Sequence, residues 1–375
     1  MLTEGVRMTL MIGPAVPVPV PSSVLDALSA VEVTNATEGP SGFRLTFDLA
    51  KNSPLETLFL LSGGAGIPLV RVVIAVTVRG QTTVLMDGVM TEHDVSPGEG
   101  GRSRLTVTGE DLSRVMDYLE LDGFPFPAMP AEARVALIIA KYAMFGLIPL
   151  VVPTLLLDVP IPVDRIPRQQ GTDLAYLKKL ADEVGYVFYV DAGPTPLTNV
   201  AYWGPPVKVG PLQPALNTDM DAHTNVESLS FRFDSQGAKL PILWLHEKLT
   251  KIPVPIPVPD VSPLSPPLGV VPPLPLNIEQ ISGVAKRTAT AASLKAMAVA
   301  SRSQEAVEGN GSLDVLRYGR VLKARQLVGV RGAGAAFDGP YYVDSVTHNL
   351  ERGSYKQSFR LTRNGLLSIL PKVPA

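Results

Sequence analysis

The sequence predicts a mainly β protein of the α+β class, with two small β-barrels on either side of an α/β middle domain. Three observations support this prediction. Apolar and polar residues alternate through residues 30–110 and again through residues 313–367, as in half-buried strands. Between these regions the apolar spacing becomes helical, and a similar hairpin motif occurs near both ends. The 375 residues are enough for several domains with cores of their own.

The first barrel is predicted over residues 1–110. Its clearest strand is residues 43–49, where apolar and polar side chains alternate without interruption. Two further strands, residues 70–78 and 81–86, flank a turn at Arg79-Gly80. Residues 54–61 are predicted to form a short helix, and a proline-rich segment precedes the barrel.

The α/β middle domain is predicted over residues 111–205. Apolar residues at helical spacing indicate one helix near residues 112–119 and a second over residues 131–145. A third helix is expected to begin after Thr172, a good capping residue, and to end at Gly185. The apolar residues 186–190 then follow as a strand.

The second barrel is predicted over residues 206–245 and 311–370, with an insertion at residues 246–310. Ten of the 23 residues from Pro253 to Pro275 are proline, which favours an extended, polyproline-like arm. A disordered linker is the alternative, but the apolar residues between the prolines favour an arm packed on a surface. An alanine-rich helix is expected within residues 278–308, stopped by Gly309-Asn310-Gly311.

The two ends of the chain carry related hairpins, which predicts an internal duplication. The C-terminal copy runs from Phe337 through a reversal at Arg352-Gly353 to Gly365. The earlier copy comprises residues 86–93, a glycine-rich turn and residues 103–109. Both copies contain Asp-Gly, a strand with threonine and histidine, a turn, and a strand with Leu-Thr. In this alignment His93 corresponds to His348.

Composition excludes several classes of function. The 33 basic and 35 acidic residues give a net charge of -2, so the chain carries no overall electrostatic footprint for nucleic acid. A local basic stretch is interpreted as a solvated strand face. It consists of Arg317, Arg320, Lys323, Arg325 and Arg331.

The chain contains no cysteine, which excludes disulfides, thiolate metal sites and cysteine nucleophiles. The absence of disulfides also favours synthesis in the cytoplasm. We find no signal peptide, because four prolines interrupt the early apolar run of residues 8–25. The apolar residues 142–157 are too few for a membrane-spanning helix, so we expect no direct membrane insertion.

The sequence offers no convincing catalytic, cofactor-binding or metal-binding residues. Its histidines lie far apart in sequence; they are His93, His223, His246 and His348. The glycine-rich residues 62–66 and 329–334 lack the lysine of a phosphate loop and are interpreted as turns at strand ends. Carboxylate pairs such as Asp219/Asp221 or Glu110/Asp111 are candidates for glycan cleavage, but nothing in the sequence indicates that a fold brings them together as an acid/base pair. We therefore expect that the chain is not an enzyme and needs no cofactor.

Two stretches carry a resemblance to a known family. They are residues 171–190, which read Gly-Thr-Asp-Leu-Ala-Tyr-Leu-Lys-Lys-Leu-Ala-Asp-Glu-Val-Gly-Tyr-Val-Phe-Tyr-Val, and the hairpin within residues 328–365. Both resemble the phage late control protein D family, the baseplate hub proteins of contractile phage tails and extracellular contractile injection systems. The family is similar to the hub part of type VI secretion spike proteins. In it, the first stretch belongs to the middle domain and the second to a tube-like barrel.

The resemblance implies two tube-like barrels per subunit and a homotrimer that presents a pseudo-sixfold ring. Such a hub joins the hexameric inner tube to the trimeric spike and contacts other baseplate subunits. Because the chain ends at Ala375, just after the second barrel, the spike is expected to be a separate protein. The subunit is expected to be synthesised in the bacterial cytoplasm and assembled into the baseplate of a phage-tail-like particle. A tail-associated peptidoglycan hydrolase and a glycan-binding β-protein are the alternatives.

Overall fold

The computed structural model describes most of the chain, and one large sheet dominates it. The described residues are 5–14, 16–49, 69–97, 103–156, 158–163, 165–235, 239–246, 253–257, 264–274, 277–280, 289–302 and 305–370. Thirteen strands form the large sheet, and three smaller sheets of two or three strands accompany it. The predicted class, mainly β within α+β, is confirmed.

The first module contains seven strands and a short helix. In chain order these are β1 (Val6–Gly13), β2 (Val18–Pro19), α1 (Ser22–Ala27), β3 (Leu28–Ala36), β4 (Gly42–Leu49), β5 (Arg71–Val78), β6 (Gln81–Pro97) and β7 (Ser103–Asp111). Across the sheet their order is β3-β4-β7-β6-β5-β1-β2. The alternation in β4 has the predicted effect, since Phe43, Leu45 and Phe47 are buried. The helix predicted at residues 54–61 lies outside the described residues.

The middle domain packs helices on a three-stranded sheet of its own. Its elements are a 3₁₀ helix (Leu112–Asp117), α2 (Ala131–Ala140), β8 (Leu147–Val151), α3 (Asp173–Val184), β9 (Val187–Ala192) and β10 (Asn199–Gly204). The helix α3 has the predicted limits: the Thr172 hydroxyl accepts a hydrogen bond from the Ala175 N–H, and Gly185 takes a left-handed φ of 72°.

Two other helix predictions for the middle domain are corrected. The helix expected near residues 112–119 is a short 3₁₀ helix, whose first turn is capped by the Asp111 carboxylate. The helix expected over residues 131–145 ends at Ala140, and a single 3₁₀ turn (Ala143–Phe145) leads to Gly146. Gly146 stops this turn because its φ of 79° is left-handed.

The second module and its insertion complete the fold. The elements are β11 (Gln213–Asn217), a 3₁₀ turn (Asp221–His223), β12 (Ser228–Phe233), β13 (Lys239–His246), β14 (Pro253–Pro257), β15 (Gly269–Val271), β16 (Asn277–Gln280), α4 (Ala289–Arg302), β17 (Val307–Asp314), α5 (Val315–Tyr318), β18 (Leu327–Arg331), β19 (Gly339–Glu351), β20 (Ser354–Arg363) and β21 (Leu366–Ser368). Six of these strands belong to the large sheet, in the order β12-β17-β20-β19-β18-β11.

The run Gly309-Asn310-Gly311 does not stop the alanine-rich helix as predicted, because it lies inside β17. The two glycines make room for aromatic rings. A Cβ at Gly309 would lie 2.7 Å from Cε1 of Phe231, and one at Gly311 would lie 2.6 Å from Cζ of Phe359. The helix α4 is correspondingly shorter than predicted, and the proposed boundary between residues 310 and 311 falls within a strand.

Part of the proline-rich arm forms a strand rather than a polyproline helix. The strand β14 pairs antiparallel with β13 at the edge of the sheet β14-β13-β16. Its prolines occupy alternate positions, so the three residues without a backbone N–H can all face the outer edge, where no neighbouring strand needs a donor. Further along, the N–H groups of Leu268 and Gly269 donate to Oδ1 of Asn364 at 2.7 and 2.9 Å. This part of the arm therefore packs on the second module.

The two modules repeat the same architecture, which supports the predicted duplication. Six strands follow in the same chain order and have the same neighbours: β3-β4-β7-β6-β5-β1 in the first module and β12-β17-β20-β19-β18-β11 in the second. One difference is that β1 is antiparallel to β5, whereas β11 is parallel to β18.

The strand registers match residue by residue. In the first module Val33, Phe43, Gly109 and Met90 lie side by side on four neighbouring strands. The corresponding row in the second module is Phe231, Gly309, Leu361 and Val343. The N–H of Met90 donates to the carbonyl of Val70 at 2.9 Å, and the N–H of Val343 donates to that of Gln326, also at 2.9 Å.

The matched registers correct the predicted correspondence of the histidines. Each module has a bulge directly after this row, at Thr91 in β6 and at Asp344 in β19. Counting from the bulge, His93 corresponds to Val346, and His348 corresponds to Val95. The sequence alignment placed the histidines together because it could not show the different lengths of the hairpin turns.

The modules join through direct strand pairing. β3 of the first module pairs antiparallel with β19 of the second, from Ser345 opposite Ala36 to Glu351 opposite Ala30. One apolar core runs through both modules as a result. Within the described residues, the strand pairings do not close either module into a barrel of its own.

Replacing Gly109 by alanine should destabilise the fold. The new methyl group would lie 2.3 Å from Cζ of Phe43 and 2.4 Å from the Val89 carbonyl oxygen. We expect a loss of about 1–3 kcal/mol in the free energy of unfolding, measured by denaturant titration. The control is Arg104→Ala on the same strand, which removes only an exposed ion pair with Asp48 at 3.9 Å. Equal losses in both variants would contradict this account of the packing.

Candidate functional site at the module joint

The two carboxylate pairs considered from sequence lie in different surroundings. Glu110 and Asp111 are successive residues of β7, so their side chains point to opposite faces of the sheet. Asp111 is buried, and its carboxylate accepts the N–H of Ser113; burial raises its pKa. Asp219 and Asp221 are exposed in a turn in which both have positive φ.

The three histidines whose side chains the structure describes lie on different elements. His93 is half-buried on β6, His223 is exposed in a 3₁₀ turn, and the side chain of His246 lies outside the described part. Among the described residues, no three acidic or histidine side chains come together as they would to hold a metal ion. The glycines after β18 form a turn as predicted, with φ of 86° at Gly332 and 91° at Gly334; residues 62–66 lie outside the described residues.

His348 belongs to the joint between the modules, which is the pairing of β3 with β19. It lies opposite Val33 of β3, and its Nδ1 forms hydrogen bonds with the Tyr355 hydroxyl at 2.8 Å and the Gln357 amide at 3.2 Å. Gln357 in turn bonds both backbone groups of Leu322. Burial lowers the pKa of His348 to about 3, so the ring is neutral at neutral pH.

Arg325 connects all three parts of the chain. Its guanidinium donates to the Ala36 carbonyl at 2.7 Å, to the Ser41 hydroxyl at 3.2 Å and to the Asp191 carboxylate at 3.0 Å. It also lies 4.0 Å from the centre of the Tyr189 ring. Arg325 is only 6% exposed, so the prediction that this basic stretch is a solvated face is wrong for this residue.

A second buried cation holds the middle domain to the first module. Arg71 forms a bidentate ion pair with Asp87, with both N–O distances 2.7 Å. The side chains are 4% and 0% exposed. Arg71 also donates to the Phe145 carbonyl at 2.9 Å, and Asn199 donates to Asp87 at 2.9 Å. Phe145 and Asn199 belong to the middle domain, so the pair fixes its position.

Among the described residues, the outer edge of β12 and the second half of β6 have a neighbouring strand on one side only. β12 ends the sheet on one side, with β17 as its neighbour. On β6, residues from Thr91 onward pair with β7, while β5 accompanies only the first half of the strand. Val95 in this second half is 47% exposed. Open edges of this kind are the natural place for association with another chain.

The middle domain exposes many large apolar side chains on β8 and in the sequence on either side of it. They are Met144, Ile148, Leu150, Leu155, Leu156, Val159, Ile161, Val163 and Ile166. A surface of this kind is typical of a protein that functions in an assembly. No helix in the described part of the chain is long and apolar enough to cross a membrane.

Solved structures of phage tail proteins share this architecture. A tail protein from Neisseria meningitidis superimposes with a TM-score of 0.63 and 13% identity, over 97% of this chain and 98% of the other. The 43 kDa tail protein of prophage MuSo2 from Shewanella oneidensis gives 0.63 and 14%, over 96% and 98%. The chain has the fold of phage tail proteins. The resemblance noted in the sequence is thereby confirmed at the level of the fold.

The tail-protein fold extends to secretion systems. The E. coli c3393 protein is described as a type VI secretion component with structural similarity to the T4 bacteriophage tail proteins gp27 and gp5. It matches with a TM-score of 0.52 and 12% identity, over 93% of this chain and 78% of the other. No family model matches the sequence, and neither does any curated protein.

Removing the arginine of the buried ion pair should be costly. In Arg71→Met the Asp87 carboxylate stays buried without its cation, and we expect a loss of about 3–5 kcal/mol in the free energy of unfolding. The double variant Arg71→Met/Asp87→Leu removes both charges and should lose less than the single variant. Denaturant titration of the three proteins checks this. A double variant less stable than Arg71→Met would contradict it.

Asp344, at the bulge of β19, should make stability depend on pH. Burial, followed by repulsion from Glu305, raises its pKa to about 6. The folded state therefore favours the protonated carboxyl, and this contribution is present at low pH and lost as pH rises through about 6. Asp344→Asn should be more stable than the wild type at pH 7.5, with the difference shrinking towards pH 4.

Thermal unfolding midpoints of both proteins across this range provide the measurement. His348 acts in the opposite direction, because its lowered pKa costs stability as pH falls from 6.5. Since both proteins contain His348, its effect cancels in the comparison. A difference that stays constant from pH 4 to 7.5 would contradict the assignment.

Proposed function

We propose that this protein is the central hub of the baseplate of a contractile phage tail or phage-tail-like injection particle. It acts as a homotrimer that joins the hexameric inner tube to the trimeric spike. One observation carries the proposal: the chain contains the same six-stranded module twice, in matching register. Three chains therefore supply six similar modules.

Symmetry explains why such a protein is useful. A trimer of two-module chains presents approximate sixfold symmetry where the modules are alike and threefold symmetry where they differ. The modules differ in their insertions, since residues between β12 and β17 form the sheet of β13, β14 and β16 together with α4. The similar strands suit a hexameric tube, and the differing parts suit a threefold partner.

A structural role accounts for the buried polar groups better than catalysis does. Arg325 and Arg71 join parts of the chain, and His348 is hydrogen-bonded within the second module, opposite β3. Glu110 and Asp111 point to opposite faces of the sheet, and Asp219 and Asp221 are exposed in a turn, which supports a structural role over that of a peptidoglycan hydrolase. The similarity of the fold to two tail proteins also supports a role in a tail.

The apolar side chains exposed on β8 and in the sequence on either side of it suit contact with other baseplate subunits. The balanced charge of -2 gives no reason to expect nucleic acid as a partner. We propose that the hub is made in the bacterial cytoplasm and incorporated there into the baseplate, without inserting directly into a membrane.

The test is a mass measurement of the full chain, alone and with its inner tube and spike partners. Native mass spectrometry should give three times the mass of one chain, and electron microscopy should show a ring with the tube on one face and the spike on the other. Monomers that persist with both partners present would overturn the proposal. Clearing of a peptidoglycan suspension by the purified chain would favour the hydrolase instead.

A further inference from the structure

We propose that β12 of one chain pairs antiparallel with the second half of β6 of the next chain, with Arg232 opposite Asp94. This inference rests on the proposed hub and names the contact that closes it. The joint between β3 and β19 within one chain supplies the template, because β3 corresponds to β12 and β19 corresponds to β6. The contact between chains repeats the contact within the chain.

The corresponding rows fix the register of this contact. Within the chain, Val33 lies opposite His348. Val33 corresponds to Phe231 through the matched rows, and His348 corresponds to Val95 through the matched bulges. Phe231 of one chain therefore lies opposite Val95 of the next. Moving outward from this pair, His93 lies opposite Phe233, and Pro97 lies opposite Leu229.

The inner face of the contact is apolar on both strands. Leu229, Phe231 and Phe233 are half-buried and point towards the core, where Phe231 stacks on Phe337 with ring centres 5.2 Å apart. Val95, which is 47% exposed in the single chain, would be covered by Phe231. A slip of one residue would place these apolar side chains against the polar face, so the register is strongly specified.

The outer face is polar and brings opposite charges together. Within the chain, the hydroxyls of Thr34 and Thr347 lie 3.1 Å apart in a hydrogen bond. The corresponding residues between chains are Arg232 and Asp94, both exposed in the single chain. Arg232 also lies opposite Glu308, which forms an ion pair with Arg360 at 2.6 Å. Asp94 would thus extend a row of alternating charge.

The end of the joint shows the same correspondence. Both the N–H and the hydroxyl of Thr37 donate to the carbonyl of Asp344, each at 2.9 Å. Ser235 corresponds to Thr37 and also carries a hydroxyl, and Thr91 corresponds to Asp344. Glu92 falls opposite Asp234 here, with both residues exposed to water. These two carboxylates repel each other at the end of the contact, whereas Arg232 and Asp94 attract each other nearer its centre. The occupant that fits this edge in register and in its apolar face is a second copy of the chain.

Disulfide cross-linking tests the register directly, since the chain has no cysteine of its own. Ser96 and Ser230 lie opposite each other in the proposed contact, at the short Cα distance that a disulfide requires. The variant Ser96→Cys/Ser230→Cys should give covalent trimers on a non-reducing denaturing gel. The matched control Ser96→Cys/Ser228→Cys places its cysteines on a diagonal about 7–8 Å apart and should cross-link poorly.

Charge exchange provides a second measurement that needs no cross-link. Asp94→Arg and Arg232→Asp should each raise the concentration at which the oligomer dissociates, by about two- to fivefold or more per contact. The double variant Asp94→Arg/Arg232→Asp restores opposite charges and should recover most of this loss. Dissociation is followed by mass photometry of diluted protein.

The outcomes separate this inference from the proposed hub. Trimers that neither cross-link at Ser96/Ser230 nor respond to the charge exchange would overturn the strand pairing and leave the hub standing. Cross-linked chains without closed trimers would support the pairing and overturn the trimeric hub. Equal cross-linking in the control variant would overturn the register. A chain that stays monomeric at all concentrations, even with tube and spike partners, would overturn both.

Discussion

The pairing of β3 with β19 is the constraint on which the remaining structure depends. It makes one sheet of two modules and allows a common apolar core, although the paired strands lie at opposite ends of the sequence. Arg325 reinforces the pairing at its end. Its guanidinium donates to the carbonyl of Ala36, the last residue of β3, and to the Asp191 carboxylate of the middle domain. The middle domain is therefore positioned by the same joint that unites the modules.

Buried arginines fix the orientation of the middle domain relative to the two modules. Apolar surfaces attract one another without strong preference for orientation, whereas Arg71 must meet the two oxygens of Asp87 and the carbonyl of Phe145 together. A rotation of the middle domain would separate the Phe145 carbonyl and the Asn199 amide from this ion pair, which lies within the first module, and would leave buried polar groups without partners. The domain is thus fixed by a few polar contacts in a largely apolar interface.

Local signals in the sequence predicted much of this fold. The alternation in β4, the cap at Thr172 and the stop at Gly185 depend on neighbouring residues only, and they were predicted correctly. Signals that depend on distant partners were misinterpreted. Gly309-Asn310-Gly311 is typical of a helix stop, yet Phe231 and Phe359, far away in sequence, need the space above these glycines. Arg325 gave no sign of its burial, because Ala36 and Asp191 meet it only in the folded chain.

The permanent union of two modules limits what the chain can build through its sheet edges. A polypeptide that always carries both modules contributes them in pairs, so any ring formed by these edges contains an even number of modules. Half of the contacts in such a ring form within single chains and need no encounter between molecules. They are independent of protein concentration, and only the remaining half are subject to dilution. Because the two modules are in one chain, half of the contacts form when the chain folds, and the other half form in a step that depends on protein concentration.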